Sequence, residues 1–101
     1  MRIIAEVSDR IEEEIKQAEC YIDKALECHA EYPDVANDYV SLAQGNLDRI
    51  GVLHNRVTKL IDMERKQNGE PPEGMLKVYE YLHKKHINKV ADIRRIMTEM
   101  R

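Results

Sequence analysis

Six ionisable or amide side chains stand where a helical repeat calls for apolar ones. Glu14 falls between Ile11 and Ala18 in a stripe whose steps alternate three and four residues. Asn46 and His54 interrupt a second such stripe, and His83 and His86 a third, with Glu80 one turn before His83. A carboxylate on a buried seam must be paired, protonated or metal-bound, because burying a lone charge is very costly. His83 and His86 are three apart, so one helix face presents both. Carboxylate and imidazole together suit iron, manganese or zinc and do not select among them. The candidate metal ligands are therefore Glu14, His54, His83, His86 and Glu80, with Tyr21, Asn46 and Arg49 around them.

Each has a plainer reading. Glu14 can pair with an Arg, Lys or His of a neighbouring helix, and Arg49 is a candidate to replace a metal's charge. His54 can be a hydrogen-bonded interior histidine, and His83 and His86 a half-exposed pair beside Lys84 and Lys85. Glu80 can pair with Lys77 or Lys84, and Tyr21 can fill the core if its hydroxyl finds a partner.

The elements that must position these residues are legible. Tyr32-Pro33-Asp34 breaks the first helical pattern, and Pro33 can open the next helix or Asp34 cap it. Asn68-Gly69-Glu70-Pro71-Pro72-Glu73-Gly74 is the second break, with Gly69 placed to end one helix and Pro72 to start another. The expected helices span 3–31, 34–67 and 73–100, a single all-α domain over 1–101. Short connections make successive helices antiparallel. The expected seams are Ile4, Val7, Ile11, Glu14, Ala18, Tyr21, Ala25 and Cys28 in the first helix, widened by Ile15, Ile22 and Leu26. The second carries Tyr39, Leu42, Ala43, Asn46, Leu47, Ile50, Leu53, His54, Val57, Leu60 and Ile61. The third carries Tyr79, His83, His86, Val90, Ile93, Met97 and Met100. Reflection about the two turns puts Glu14 opposite Gly51 and His54 opposite His86, so Glu14, His54 and His86 are expected in one layer.

Glu14 followed seven residues later by Tyr21 resembles the Glu-x6-Tyr of the first helix of ferritin-like proteins. The run Leu42-Ala43-Gln44-Gly45-Asn46-Leu47-Asp48-Arg49, continuing to Leu53-His54, is similar to the second-helix segment of that superfamily. The usual Glu-x-x-His falls at Asn46 and Arg49, or in a shifted register at Gly51 and His54. Glu80-Tyr81-Leu82-His83 matches Glu-x-x-His literally. The resemblance implies a four-helix bundle, a carboxylate-bridged di-iron centre, and oxygen chemistry or iron storage. It makes Glu14 an iron ligand and places Tyr21 near the metal. This chain has three helices, so the fourth must come from another copy or be absent, and neither second-helix register keeps the carboxylate. The whole looks like the small ferritin-like proteins of bacterial and phage genomes, with the di-iron site reduced or lost.

Composition limits the alternatives. Charged residues make up 35% of the chain, with neither Trp nor Phe, which suits long solvated helices with an aliphatic core. Residues 1–31 hold nine acids against four bases, and residues 73–101 hold four against seven. First and third helices should attract each other. Lys84, Lys85, Lys89, Arg94 and Arg95 make a nucleic-acid face the weaker alternative, because the chain as a whole is acidic at −3. Cys20 and Cys28, about 12 Å apart on one helix, cannot bridge. Reduced thiols, the early charge in Met1-Arg2-Ile3-Ile4-Ala5-Glu6 and the lack of an apolar run of about 20 residues make a cytoplasmic protein the expectation. No phosphate loop or nucleophile elbow is present, and nothing points to a particular enzyme class. Wide apolar faces on helices this long call for a homo-oligomer, a dimer first, acting as a self-associating interaction module. A metal-binding protein with oxidase or storage chemistry is the alternative.

Overall fold

The computed structural model describes residues 2–100; Met1 and Arg101 lie outside the described residues. It has three helices: α1 over Arg2–Cys28, α2 over Pro33–Asn68 and α3 over Glu73–Met100. Among the described residues there is no strand. They form a rod of 56 × 18 × 17 Å. No described helix is long and apolar enough to cross a membrane.

α1 ends at Cys28, three residues before the expected Glu31. The Tyr32 N–H donates to the Cys28 carbonyl at 2.7 Å and closes the turn there. Pro33 disfavours a helical Tyr32, which sits at φ −132°, ψ 68°. Pro33 itself opens α2, in the position where its missing N–H costs nothing. Gly69 ends α2, with φ 77° and its N–H on the Arg65 carbonyl at 2.9 Å. Its ψ of −167° lies in a region open to glycine almost alone. The Pro72 carbonyl then accepts the first α3 bonds from Met75 and Leu76.

Cross-helix pairs define the topology. Glu14 meets Arg49 and Tyr21 meets Tyr39, so α1 and α2 run antiparallel. Glu12 meets Lys85 and Glu19 meets Lys89, so α3 runs parallel to α1. α1 is the central helix. It packs along the length of α2 and more lightly on α3, while α2 and α3 barely meet.

The α1–α2 seam is built on small residues. Ala18, Ala25, Ala36 and Ala43 are all fully buried, one heptad apart on each helix, and let the two backbones approach closely. Ile11, Ile15, Ile22, Val40, Leu47 and Ile50 fill the space around them. α3 adds only Ile93 and Met97 to this core. Leu26 and Leu42 are exposed. Ile15 and Ile22, expected as flanking positions, are buried because α1 is covered on two sides.

Two glycine substitutions should move stability in opposite directions. Gly69→Ala should lower the unfolding free energy by about 1–2 kcal/mol, because an L side chain is strained at that φ. Gly51→Ala, in mid-helix with open space around a new Cβ, should raise it by roughly 0.5–1 kcal/mol. Urea denaturation of both variants measures the two shifts.

Candidate functional site

Two separate polar clusters occupy the interior. The first surrounds Glu14, whose side chain is 3% exposed. The Arg49 Nε donates to both carboxylate oxygens at 3.1 Å. The Asn46 Nδ2 donates to Oε2 at 2.6 Å, and a terminal nitrogen of Arg10 reaches Oε1 at 3.2 Å. The other hydrogen of the Asn46 amide goes to Gln17 Oε1 at 2.7 Å, and its buried Oδ1 has no hydrogen-bond partner among the described residues. The geometry follows from the helix period: Asn46 and Arg49 are three apart on α2, so they converge on one point of α1.

Burial pushes the Glu14 carboxyl up. The hydrogen bonds from Asn46 and Arg49, with the charges of Arg49 and Arg10, outweigh it and hold the group below its ordinary value. Glu14 is therefore an ionised carboxylate at neutral pH. Asn46 and Arg49 are one of the two pairs of positions at which the sequence resemblance would put Glu-x-x-His, the other being Gly51 and His54. Two guanidinium groups and an amide donor around one carboxylate, with no second carboxylate to bridge, do not fit a di-iron centre.

The second cluster gathers the histidines without Glu14. His54 Nε2 of α2 and His83 Nδ1 of α3 are 2.6 Å apart, with ring centroids at 4.5 Å and planes at 24°. His86 is buried, its Nε2 3.3 Å from Glu12 Oε1, which also accepts from Lys85 Nζ at 3.2 Å. The Lys85 hydrogen bond, helped by His86 and opposed by burial, holds the Glu12 carboxyl below its ordinary value. Burial, then the nearby His83 and His86 rings, push His54 down, so His54 is neutral at pH 7.

These histidines line an open groove between α2 and α3. On one side of them a cavity of about 240 Å³ is walled by Val57, Ile61, Leu76, Tyr79 and Leu82, with Asp62, Arg65 and Glu80 at its rim. On the other a second of about 230 Å³ is walled by Leu47, Ile50, Ile87 and Val90, with Arg94 at its end. His54 and His86 border both, which makes one continuous groove.

The structure thus joins His54 to His83, sets His86 beside them on Glu12, and leaves Glu80 exposed at the rim. Among the described residues, no three His, Cys, Asp or Glu side chains are grouped to hold a metal ion. Tyr21 is half-buried against the Tyr39 ring at 6.2 Å. Lys77 pairs with Glu73. Three bases of α3 pair within the chain: Lys85 and Lys89 with Glu12 and Glu19 of α1, and Arg95 with Asp92. Sequence reasoning passed over Glu12, Arg10 and Gln17. Ser8, Ile15 and Ile22 fall at heptad steps and mark a second buried stripe on α1. That stripe, with Glu12 one turn after Ser8, was the available signal that α1 faces two partners.

Arg49→Met should lower stability at pH 7 by about 2 kcal/mol, below the range for a fully buried pair because Arg49 is half-exposed. Much of that loss should vanish when Glu14→Gln is the background, the result a double-mutant cycle reads directly. The folded carboxyl titrates below its unfolded value of 4.5, so its contribution is present above that pH and fades as pH falls through the folded value. Glu14→Gln should remove that part of the acid limb in a stability–pH profile. No protein-family profile, curated protein or solved structure matches the chain.

Proposed function

We propose that this protein is a self-associating helical module, a ferritin-like bundle whose metal position has been taken over by an ion pair, and that a second copy seats in the α2–α3 groove. The observation that carries this is the groove itself. α1 covers one flank of α2 and one flank of α3, and no described residue covers the side on which α2 and α3 face each other across an apolar trough.

Size and charge both favour a second copy as the occupant. A flank of a rod measuring 56 Å by 17–18 Å projects roughly 1,000 Å², near the ~800 Å² per partner of a stable interface. Arg94 closes one end of the groove, and Asp62, Glu80 and Arg65 edge the other with one negative charge in surplus. A two-fold axis across the middle sets the basic end of one copy on the acidic end of the next, and both pairs repeat by symmetry. Two helices from each copy then make the four-helix arrangement that one chain lacks. The Glu14–Arg49 ion pair supports the same reading from the other side, since it answers the charge that a ferritin-like site gives to metal.

Sedimentation equilibrium tests it. The wild-type chain should be a dimer at micromolar concentration. Ile87→Lys, placed at a half-exposed groove position, should give a monomer with unchanged helix content by circular dichroism. A wild-type monomer up to hundreds of micromolar would sink the reading.

A further inference from the structure

We propose that the His54–His83 pair is half of a divalent transition-metal site, of the zinc class, which a second copy completes with the same two residues. This rests on the self-association reading above.

Two imidazoles from different helices meet with ring nitrogens 2.6 Å apart, on the open side of the molecule. His83 is exposed, so this edge of the pair faces whatever enters the groove. His86 is not available as a third ligand from the same chain, because its Nε2 is held by Glu12. One chain therefore offers two nitrogen ligands, and no described group of three exists. Two ligands alone hold zinc weakly.

The histidines lie at the middle of the groove, where its two halves join. A two-fold axis across that middle brings the pair of one copy against the pair of the other. Four neutral imidazoles make a closed tetrahedral set for Zn²⁺. An all-imidazole set also suits copper, nickel or iron and disfavours manganese, which seeks carboxylates. With Zn–N near 2.05 Å, tetrahedral ligands lie roughly 3.3 Å apart. The pair must open from 2.6 Å, a change within reach of the exposed His83 ring. The hydrogen-bonded proton between the rings moves to the other nitrogen of the same imidazole, which frees both facing nitrogens for the ion.

The test uses the full chain without an affinity tag, stripped with EDTA, with ZnCl₂ as the probe. Sedimentation equilibrium with and without zinc should show a dimer in both, with the dissociation constant at least tenfold lower in zinc. Titration calorimetry should give one Zn²⁺ per two chains. His83→Gln and His54→Gln should each abolish the tightening by zinc, read for each variant as the ratio of its dissociation constants with and without the metal. Cys28→Ser, with His29→Gln beside it, should leave the effect unchanged, which separates this site from stray binding at the end of α1. A metal-free dimer that zinc does not tighten overturns the metal site alone. One zinc per chain, or binding that survives His83→Gln, also overturns it. A monomer in both conditions overturns the self-association reading and the site with it.

Discussion

Glu14 lies in the apolar seam between the two helices that form most of the core, and its burial dictates what must surround it. A carboxylate there is tolerable only where donors and cations replace the water it loses. Asn46 and Arg49 supply them from α2, and Arg10 from one turn earlier on α1. Sliding α1 by one turn along α2 would strand the carboxylate against Ala43 or Ile50 and leave Arg49 without its acceptor. The ion pair thus sets the register of the α1–α2 pair. The small alanine side chains, Ala18 and Ala25 on α1 and Ala36 and Ala43 on α2, all lie to one side of it and would tolerate such a slip more easily.

The consequences reach α3. With one face of α1 committed to α2, α3 has only the other face to dock on, and it does so lightly through Ile93, Met97 and His86. Charge assists: Lys85 and Lys89 meet Glu12 and Glu19, so part of the basic surplus of the third helix is used in docking it on α1. These half-exposed pairs orient α3 more than they stabilise it. What remains is an α2–α3 side with apolar walls, an imidazole pair at its centre and opposite charges at its ends.

The two polar clusters therefore answer different questions. Around Glu14 both carboxylate oxygens are taken by Arg49, Asn46 and Arg10, and the amide oxygen of Asn46 alone is left unpartnered among the described residues. Around His54 and His83 the ligand capacity is partly spent and partly turned outward.

Much of this was legible from residue types. Pro33, Gly69 and Pro72 punctuate the helices because backbone chemistry is local, and the seven-residue spacing of Ile11, Ala18 and Ala25 or the three-four spacing of Val90, Ile93 and Met97 marks which faces turn inward. The oddity of Glu14, and Arg49 as the candidate to neutralise it, also follows from position alone. Tertiary structure decided the rest. Reflection about turns gives height along a bundle but not azimuth, so it put Glu14 in a layer with His54 and His86 although they face different neighbours. Azimuth depends on how three helices share one central partner. That long-range choice made α1 two-faced, paired His86 with Glu12, and brought His54 of one helix against His83 of another across a groove no spacing rule encodes.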